Sequence, residues 1–229
     1  MPFTTLFFDL DDTLYPNTNG LWGAIRTRME DYMRERMGLP PDEIADLRRS
    51  YFETYGTTLR GLQRHHQVDA YDFLAYVHDL PLEEFLEPDP EIRELLLGLP
   101  QSKWIFTNAD AGHSRRVLEV LQLADLFDGI ADIHARKYFC KPESEAYQVA
   151  MELAGENDPS RCVFLDDSPR NLAPARALGF TTVLVGTNEP HSAAHHAVAS
   201  LKDLPKAMPE LWSRSSRKKD AFPVSRRRD

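Results

Sequence analysis

The chain of 229 residues is poor in the features that mark a secreted, membrane-spanning or repetitive protein. It has two cysteines, Cys140 in a loop-like stretch and Cys162 in an apolar run. That is no disulfide framework, and a reducing cytoplasm is the expected compartment. No apolar run approaches the roughly 20 residues needed to span a bilayer. No basic segment precedes the short apolar stretch at the N-terminus, which argues against a secretory signal. There is no internal repeat, so solenoids and propellers are set aside. Positive charge is also short: 27 Lys and Arg stand against 36 Asp and Glu, a net charge of −9. The last 17 residues, SRSSRKKDAFPVSRRRD, hold seven basic and two acidic side chains, or +5, so the remainder carries −9 − 5 = −14. An acidic body argues against nucleic acid as a partner, because phosphate contacts dominate that affinity. The basic segment reads as a solvated, disordered tail over 206–229.

What is present is the balance of a soluble globular protein, 42% hydrophobic and 28% charged. TTLFFD (4–9) reads as a short buried strand, rich in β-branched and aromatic residues. SKWIFTN (102–108), GIADI (129–133), RCVFLDD (161–167) and FTTVLV (180–185) read likewise. Helical stretches lie between them: EIRELLLG, HSRRVLEVLQL, ESEAYQVAMELAG and PRNLAPARALG. Such alternation predicts βαβ units and a parallel sheet. Gly98, Gly155 and Gly179 each stand at a plausible helix C-terminus. Residues 17–87 break the pattern, because Leu21, Ile25, Met29, Tyr32, Met33 and Met37 follow helical spacing. A second helix begins at Pro41 and ends before Gly56, and two more lie near 58–66 and 70–79. The expected organisation is an α/β core from 1–16 and 88–205, with an all-helical insertion over 17–87.

The chemistry gathers at strand ends. In a parallel α/β sheet, ligands bind outside the carboxyl ends of the strands. There the first strand offers Asp9 and, two residues on, Asp11; the second offers Thr107 and Asn108; the fourth offers Asp166 and Asp167. Lys141-Pro142 stands at the entrance to a helix. A D-x-D alone means little among 36 acidic residues, but four such signals converge on one crevice. Asp9, Asp166 and Asp167 together would be costly unless a divalent cation sat among them, and oxygen ligands with room for water and phosphate suit Mg²⁺. A nucleophilic carboxylate, a second carboxylate, a metal, a lysine and a hydroxyl describe phosphoryl transfer through an aspartyl phosphate.

DLDDTLYP, the TN pair, the KP pair and LDDS resemble, in order and spacing, the four motifs of the haloacid dehalogenase (HAD) superfamily, over roughly residues 1–205. The resemblance implies a Rossmann-like core, and the insertion is similar to that superfamily's C1 cap. FFDLDDTLYP together with YGTTLRGLQRHHQVDAYDFL resembles the pyrimidine 5′-nucleotidase subgroup. Carried over by position, the resemblance makes Asp9 the nucleophile. Asp11 becomes the acid and base, with its backbone carbonyl on Mg²⁺. Thr107 and the Asn108 amide hold phosphate oxygens, Lys141 neutralises phosphate, and Asp167 binds Mg²⁺ directly, with Asp166 bound directly or through water. An ionised Asp9 beside a proton-bearing Asp11 requires pKa values pushed apart. Dehalogenation needs no acid for a departing halide, so the presence of Asp11 favours a phosphatase.

The expected function is hydrolysis of small phosphate esters, with pyrimidine nucleoside 5′-monophosphates as the implied substrates and a monomer or homodimer as the expected assembly. Tyr55, Arg60, His65 and His66 are candidate base-recognition residues. Phosphoglycolate, sugar phosphates, a phosphomutase reaction and a non-catalytic scaffold remain open alternatives. Asp12 reads as structural, since alternation turns it away from its neighbours. Asn171 reads as a brace for the acidic loop and Arg170 as solvated. HSAAHH, despite its His191/His195 spacing, reads as a surface helix rather than a zinc site.

Overall fold

A computed structural model describes residues 3–212. Six strands form one parallel sheet: β1 (Thr5–Phe8), β2 (Ser102–Phe106), β3 (Gly129–Ala131), β4 (Cys162–Asp166), β5 (Thr181–Val185) and β6 (His196–Val198). Their spatial order is β3-β2-β1-β4-β5-β6. β1 is therefore central, with Phe8 opposite Ile105 on one side and Leu165 on the other. Strand alternation decides what each face buries. Leu6 and Phe8 enter a cluster with Ile105, Val163 and Leu165, whereas Phe7 enters another with Phe106, Tyr147, Phe164 and Phe180. A strand buried on both faces explains why β1 reads as a continuous apolar run.

The helices are α1 (Leu21–Glu35), α2 (Pro41–Tyr55), α3 (Thr58–His66), α4 (Ala70–Val77), α5 (Pro90–Leu97), α6 (Ala111–Val120), α7 (Ser144–Leu153), α8 (Pro169–Leu178) and the short α9 (Leu204–Ala207). The first four lie between β1 and β2 and have their own buried cluster, which includes Tyr32, Met33, Ile44, Leu62, Phe73 and Val77. Sequence-local caps fix their ends. Pro41 opens α2, the Thr57 hydroxyl accepts from Arg60 N (3.1 Å), and Asp69 accepts from Asp72 N (2.9 Å). The stripe of α1 is divided: Leu21 and Ile25 pack into the sheet's core, while Tyr32 and Met33 pack among the inserted helices.

Two sequence expectations change. HSAAHH is not helical: His196 begins the edge strand β6, the His195 ring nitrogen accepts from Thr182 N (3.1 Å), and His191 accepts from Ala193 N (3.1 Å). The packed chain also continues beyond 205, because Met208 and Leu211 are fully buried and Gln101 donates to Leu211 O (2.8 Å). Of the expected basic tail, residues 213–229 lie outside the described residues. Gly98 ends α5 with φ −71°, so it supplies no left-handed turn. Its lack of a side chain instead admits Trp212, whose indole nitrogen would lie 2.9 Å from a Cβ there. Both cysteines are buried and unpaired, and no helix among the described residues is long and apolar enough to cross a membrane.

Candidate active site

The carboxyl ends of β1, β2 and β4 meet below the inserted helices, around a cavity of about 270 Å³. Asp9 follows β1 directly, and its backbone N–H bonds Leu165 O of β4 (2.8 Å). Lys141 is 1% exposed and bridges two carboxylates, with Nζ 2.8 Å from Asp9 Oδ1 and 2.7 Å from Asp166 Oδ2. Asp9 Oδ1 also accepts from Leu10 N (2.8 Å). Asp166 is saturated by Lys141, by Ser168 N (2.8 Å) and by the Asn171 amide (3.0 and 3.1 Å). Asn171 thus braces the acidic loop. Asp167 takes no side-chain donor among the described residues and lines the cavity.

The Asn108 side chain is spent on the Lys141 loop. It donates to Lys141 O (3.0 Å) and accepts from Lys141 N (2.8 Å) and from the buried Arg136 (3.1 Å). Thr107 lines the cavity, and its hydroxyl accepts from Ala109 N (3.0 Å). Gly56, at φ +87°, lets the inserted helices approach this same loop: a Cβ there would stand 2.8 Å from Lys141 O.

Electrostatics follow from three carboxylates facing one ammonium. Burial raises the pKa of Asp9 well above its ordinary value; Lys141 opposes the rise, while Asp166 and Asp167 add to it. Burial and then Asp166 push Asp167 up to about 7. Burial works against the charge of Lys141, but Asp166 and Asp9 hold its pKa raised. One oxygen from each of Asp9, Asp166 and Asp167 lies within 4.8 Å of the others. Hard oxygen donors whose ionised forms repel one another fit a divalent cation, which would favour their ionisation.

Asp11 is treated differently. Burial works to raise its pKa, yet His113 and Tyr15 bring it below the ordinary value. The two aspartates are therefore pushed apart, but among protein groups alone the order is the reverse of an ionised Asp9 beside a protonated Asp11. Nothing in the sequence signals this, because His113, unlike Tyr15 in the same loop, comes from a distant element. Tyr15 donates to Asp11 Oδ1, and His113 Nε2 lies 3.2 Å from the same oxygen. His78, which follows α4, stacks on His113 with ring centroids 4.1 Å apart, and its Nδ1 lies 2.6 Å from Asp110 Oδ2.

Other expectations are corrected at the cavity wall. Asp12 has φ 60°, which breaks strand alternation and brings it to the cavity; burial and Asp11 push its pKa up to about 6. Arg170 does more than meet solvent, since it donates to Phe52 O (2.9 Å) and Glu53 O (2.8 Å), joining α8 to α2. Tyr55, Arg60, His65 and His66 are not among the lining residues. Tyr55 bonds His65 (2.7 Å), Tyr51 bonds His66 (2.9 Å), and Arg60 faces Glu143 at 3.9 Å. The inserted helices instead present Trp22, Arg26, Met29, Arg48, Phe52 and Phe73 to the cavity. Trp22 and Phe52 are exposed aromatics beside the buried stripes of α1 and α2, a signal the sequence holds without saying which exposed residues meet the crevice.

A family model for haloacid dehalogenase-like hydrolases matches residues 3–179. Phosphate metabolism protein 8 of Saccharomyces cerevisiae (strain ATCC 204508 / S288c) is 31% identical over 192 residues, which cover 78% of this chain; the chain spans 60% of that relative. CbbY from Rhodobacter sphaeroides, solved with phosphate, is similar in fold at TM-score 0.64 and 18% identity, over 88% of this chain and 96% of that one. A HAD phosphatase from Thermococcus onnurineus is similar at TM-score 0.61 and 20% identity, over 89% and 96%.

Proposed function

The chain belongs to the haloacid dehalogenase-like hydrolase family, and we propose that it is a Mg²⁺-dependent phosphomonoesterase working through an aspartyl phosphate on Asp9, with pyrimidine nucleoside 5′-monophosphates as substrates. The observation that carries this reading is the pairing of a lysine-bridged Asp9 with a separately braced Asp11 on one cavity. The name of the S. cerevisiae relative, which ties that protein to phosphate metabolism, agrees with it. Residues 17–87 act as a cap over a core formed by 1–16 and 88–205, which the packed residues up to 212 extend, and the protein works in the cytoplasm.

Asp9 Oδ1 is occupied by Lys141 and Leu10 N, which leaves Oδ2 to attack phosphorus. As that bond forms, the bond from phosphorus to the leaving oxygen breaks, and Asp11 gives its proton to the departing alkoxide. The arriving phosphate dianion, a like charge beside Asp11, favours the protonated carboxyl needed for that step. In the second half, Asp11 takes a proton from water as the water oxygen bonds phosphorus. The Asp9–phosphorus bond then breaks, releasing phosphate and restoring Asp9. Lys141 and Thr107 hold phosphate oxygens. Asp9, Asp167 and the Asp11 carbonyl would hold Mg²⁺, with Asp166 orienting Lys141 from beside them. Bound there, Mg²⁺ supplies charge that offsets the phosphate. Trp22 and Phe52 offer flat apolar faces to a base, and Arg26 offers donors to its carbonyl edge.

The test is phosphate release from UMP, CMP, AMP, GMP, phosphoglycolate, sugar phosphates and an aryl phosphate, each with Mg²⁺, with chelator and with Asp9→Asn. Metal-dependent turnover led by UMP and CMP and abolished in Asp9→Asn is expected. Turnover led by a sugar phosphate would remove the nucleotide assignment but keep the chemistry. No turnover of any ester by the folded protein would remove both.

A further inference from the structure

The imidazole of His113 sits on the buried stripe of α6, four residues before Val117 and eight before Leu121, where an apolar side chain would pack without cost. Its side chain is 0% exposed. Nε2 faces Asp11 Oδ1 at 3.2 Å, while Nδ1 is buried with no hydrogen-bond partner. An orphaned ring nitrogen is a standing cost to the fold, and among the described residues the only hydrogen bond this ring makes is the one to Asp11.

The ring is also held in plane. Asp110 Oδ1 caps α6 by accepting from His113 N (2.9 Å), while its Oδ2 fixes His78 (2.6 Å), and the His78 ring lies over His113 with a 19° tilt. Tyr15 and His113 approach Asp11 from different elements yet converge on one oxygen, Oδ1. Two donors on Oδ1 leave Oδ2 as the oxygen that exchanges a proton with the leaving group or with water. His78 also lines the cavity and immediately follows the last inserted helix, so the clamp is completed by a residue at the root of that insertion.

We propose that His113, locked by the His78–Asp110 pair, is the positioning residue that aims Asp11 Oδ2 at the leaving oxygen. This rests on the assignment of Asp11 as proton donor and acceptor. A misplacement of about 1 Å in a reacting group costs on the order of 100-fold, so His113→Phe, which keeps the ring and removes the donor, should lower kcat for UMP about 10- to 100-fold at unchanged KM. Release of 4-nitrophenolate in the first turnover of 4-nitrophenyl phosphate needs little protonation and should fall less than about threefold, on the same positional argument.

The experiment measures both substrates for His113→Phe, His113→Gln, Asp11→Asn and the double variant Asp11→Asn/His113→Phe, with melting curves to confirm folding. His113→Met carries the same comparison if the phenylalanine is not accommodated. The proposal expects substantial rescue by His113→Gln, whose amide can donate to Oδ1. It also expects the double variant to be no slower than Asp11→Asn alone, because residues acting as a unit are non-additive. Equal loss for both leaving groups, full additivity with Asp11→Asn, or no rescue by glutamine would overturn it. If Asp11→Asn itself fails to separate UMP from the aryl ester, the proton-transfer assignment falls and takes the proposal with it.

Discussion

Replacing Lys141 by methionine tests the electrostatic account most directly. The side chain is 1% exposed and ion-paired to both Asp9 and Asp166, and methionine keeps much of its volume while removing the charge. Breaking a buried pair from one side costs about 3–5 kcal/mol, because the partner charge stays buried and unpaired. At roughly 2–4 °C per kcal/mol for a chain of this size, the melting temperature in chelator should drop by about 6–20 °C. The drop should depend on pH with a definite sign. Lys141 lowers the Asp9 pKa, so its loss raises that pKa further, the folded state binds more protons than the unfolded state, and the deficit grows as pH rises above about 4. Adding Asp166→Asn should recover part of the loss, since it removes one stranded charge while an amide oxygen can still accept from Ser168 N. Differential scanning calorimetry with chelator at pH 5 and pH 7.5 measures all of this. A single variant melting within about 2 °C of the parent at pH 7.5, against the 6–20 °C worked out above, would refute the compensating role of Lys141.

The remaining predictions concern the same cluster. Asn171→Ala removes both amide contacts to Asp166, frees the loop that carries the adjacent Asp167 and should weaken Mg²⁺ affinity about 10- to 100-fold, read by titration calorimetry; unchanged affinity would show the brace to be idle. In chelator, the parent's stability should fall as pH rises from about 4 to about 7, because Asp9 and Asp167 bind protons more tightly folded than unfolded. Mg²⁺ should flatten that slope and Asp167→Asn should reduce it, both visible in melting temperature against pH.

The sheet was legible because its interior strands are buried on both faces and read as short apolar runs ending in chemistry; Asp9, Thr107, Lys141 and Asp167 meet at one cavity as the strand ends imply. β6 was not legible, because His196–Val198 is a three-residue edge strand behind a histidine-rich turn with no apolar run of its own. The brace on Asp11 was hidden for a different reason. Tyr15, His78 and His113 are remote in sequence from one another, and only the stacking of α6 against the end of α4 joins them. The sequence did contain one clue, a histidine in register with Val117 and Leu121 on a core-facing stripe. The cavity's aromatic wall failed for want of orientation: the periodicity of α1 and α2 identifies a buried side, but not which residues along its margin, Trp22 and Phe52 among them, meet the crevice.

The central place of β1 has a consequence for synthesis. Thr5 pairs with Ser102 on one flank and Cys162 on the other, so the strand that leads into Asp9 leaves the ribosome long before either neighbour exists. At about 5–20 residues per second, β1 waits roughly 8–30 s for its second flank. The four inserted helices are contiguous in the chain and can collapse on Tyr32, Met33 and Phe73 during that interval. Two phenylalanines and a leucine in a β-prone segment are meanwhile exposed, a hazard for aggregation. The acidic residues directly after it, Asp9, Asp11 and Asp12, are well placed as charged gatekeepers of the nascent strand before they serve any other purpose.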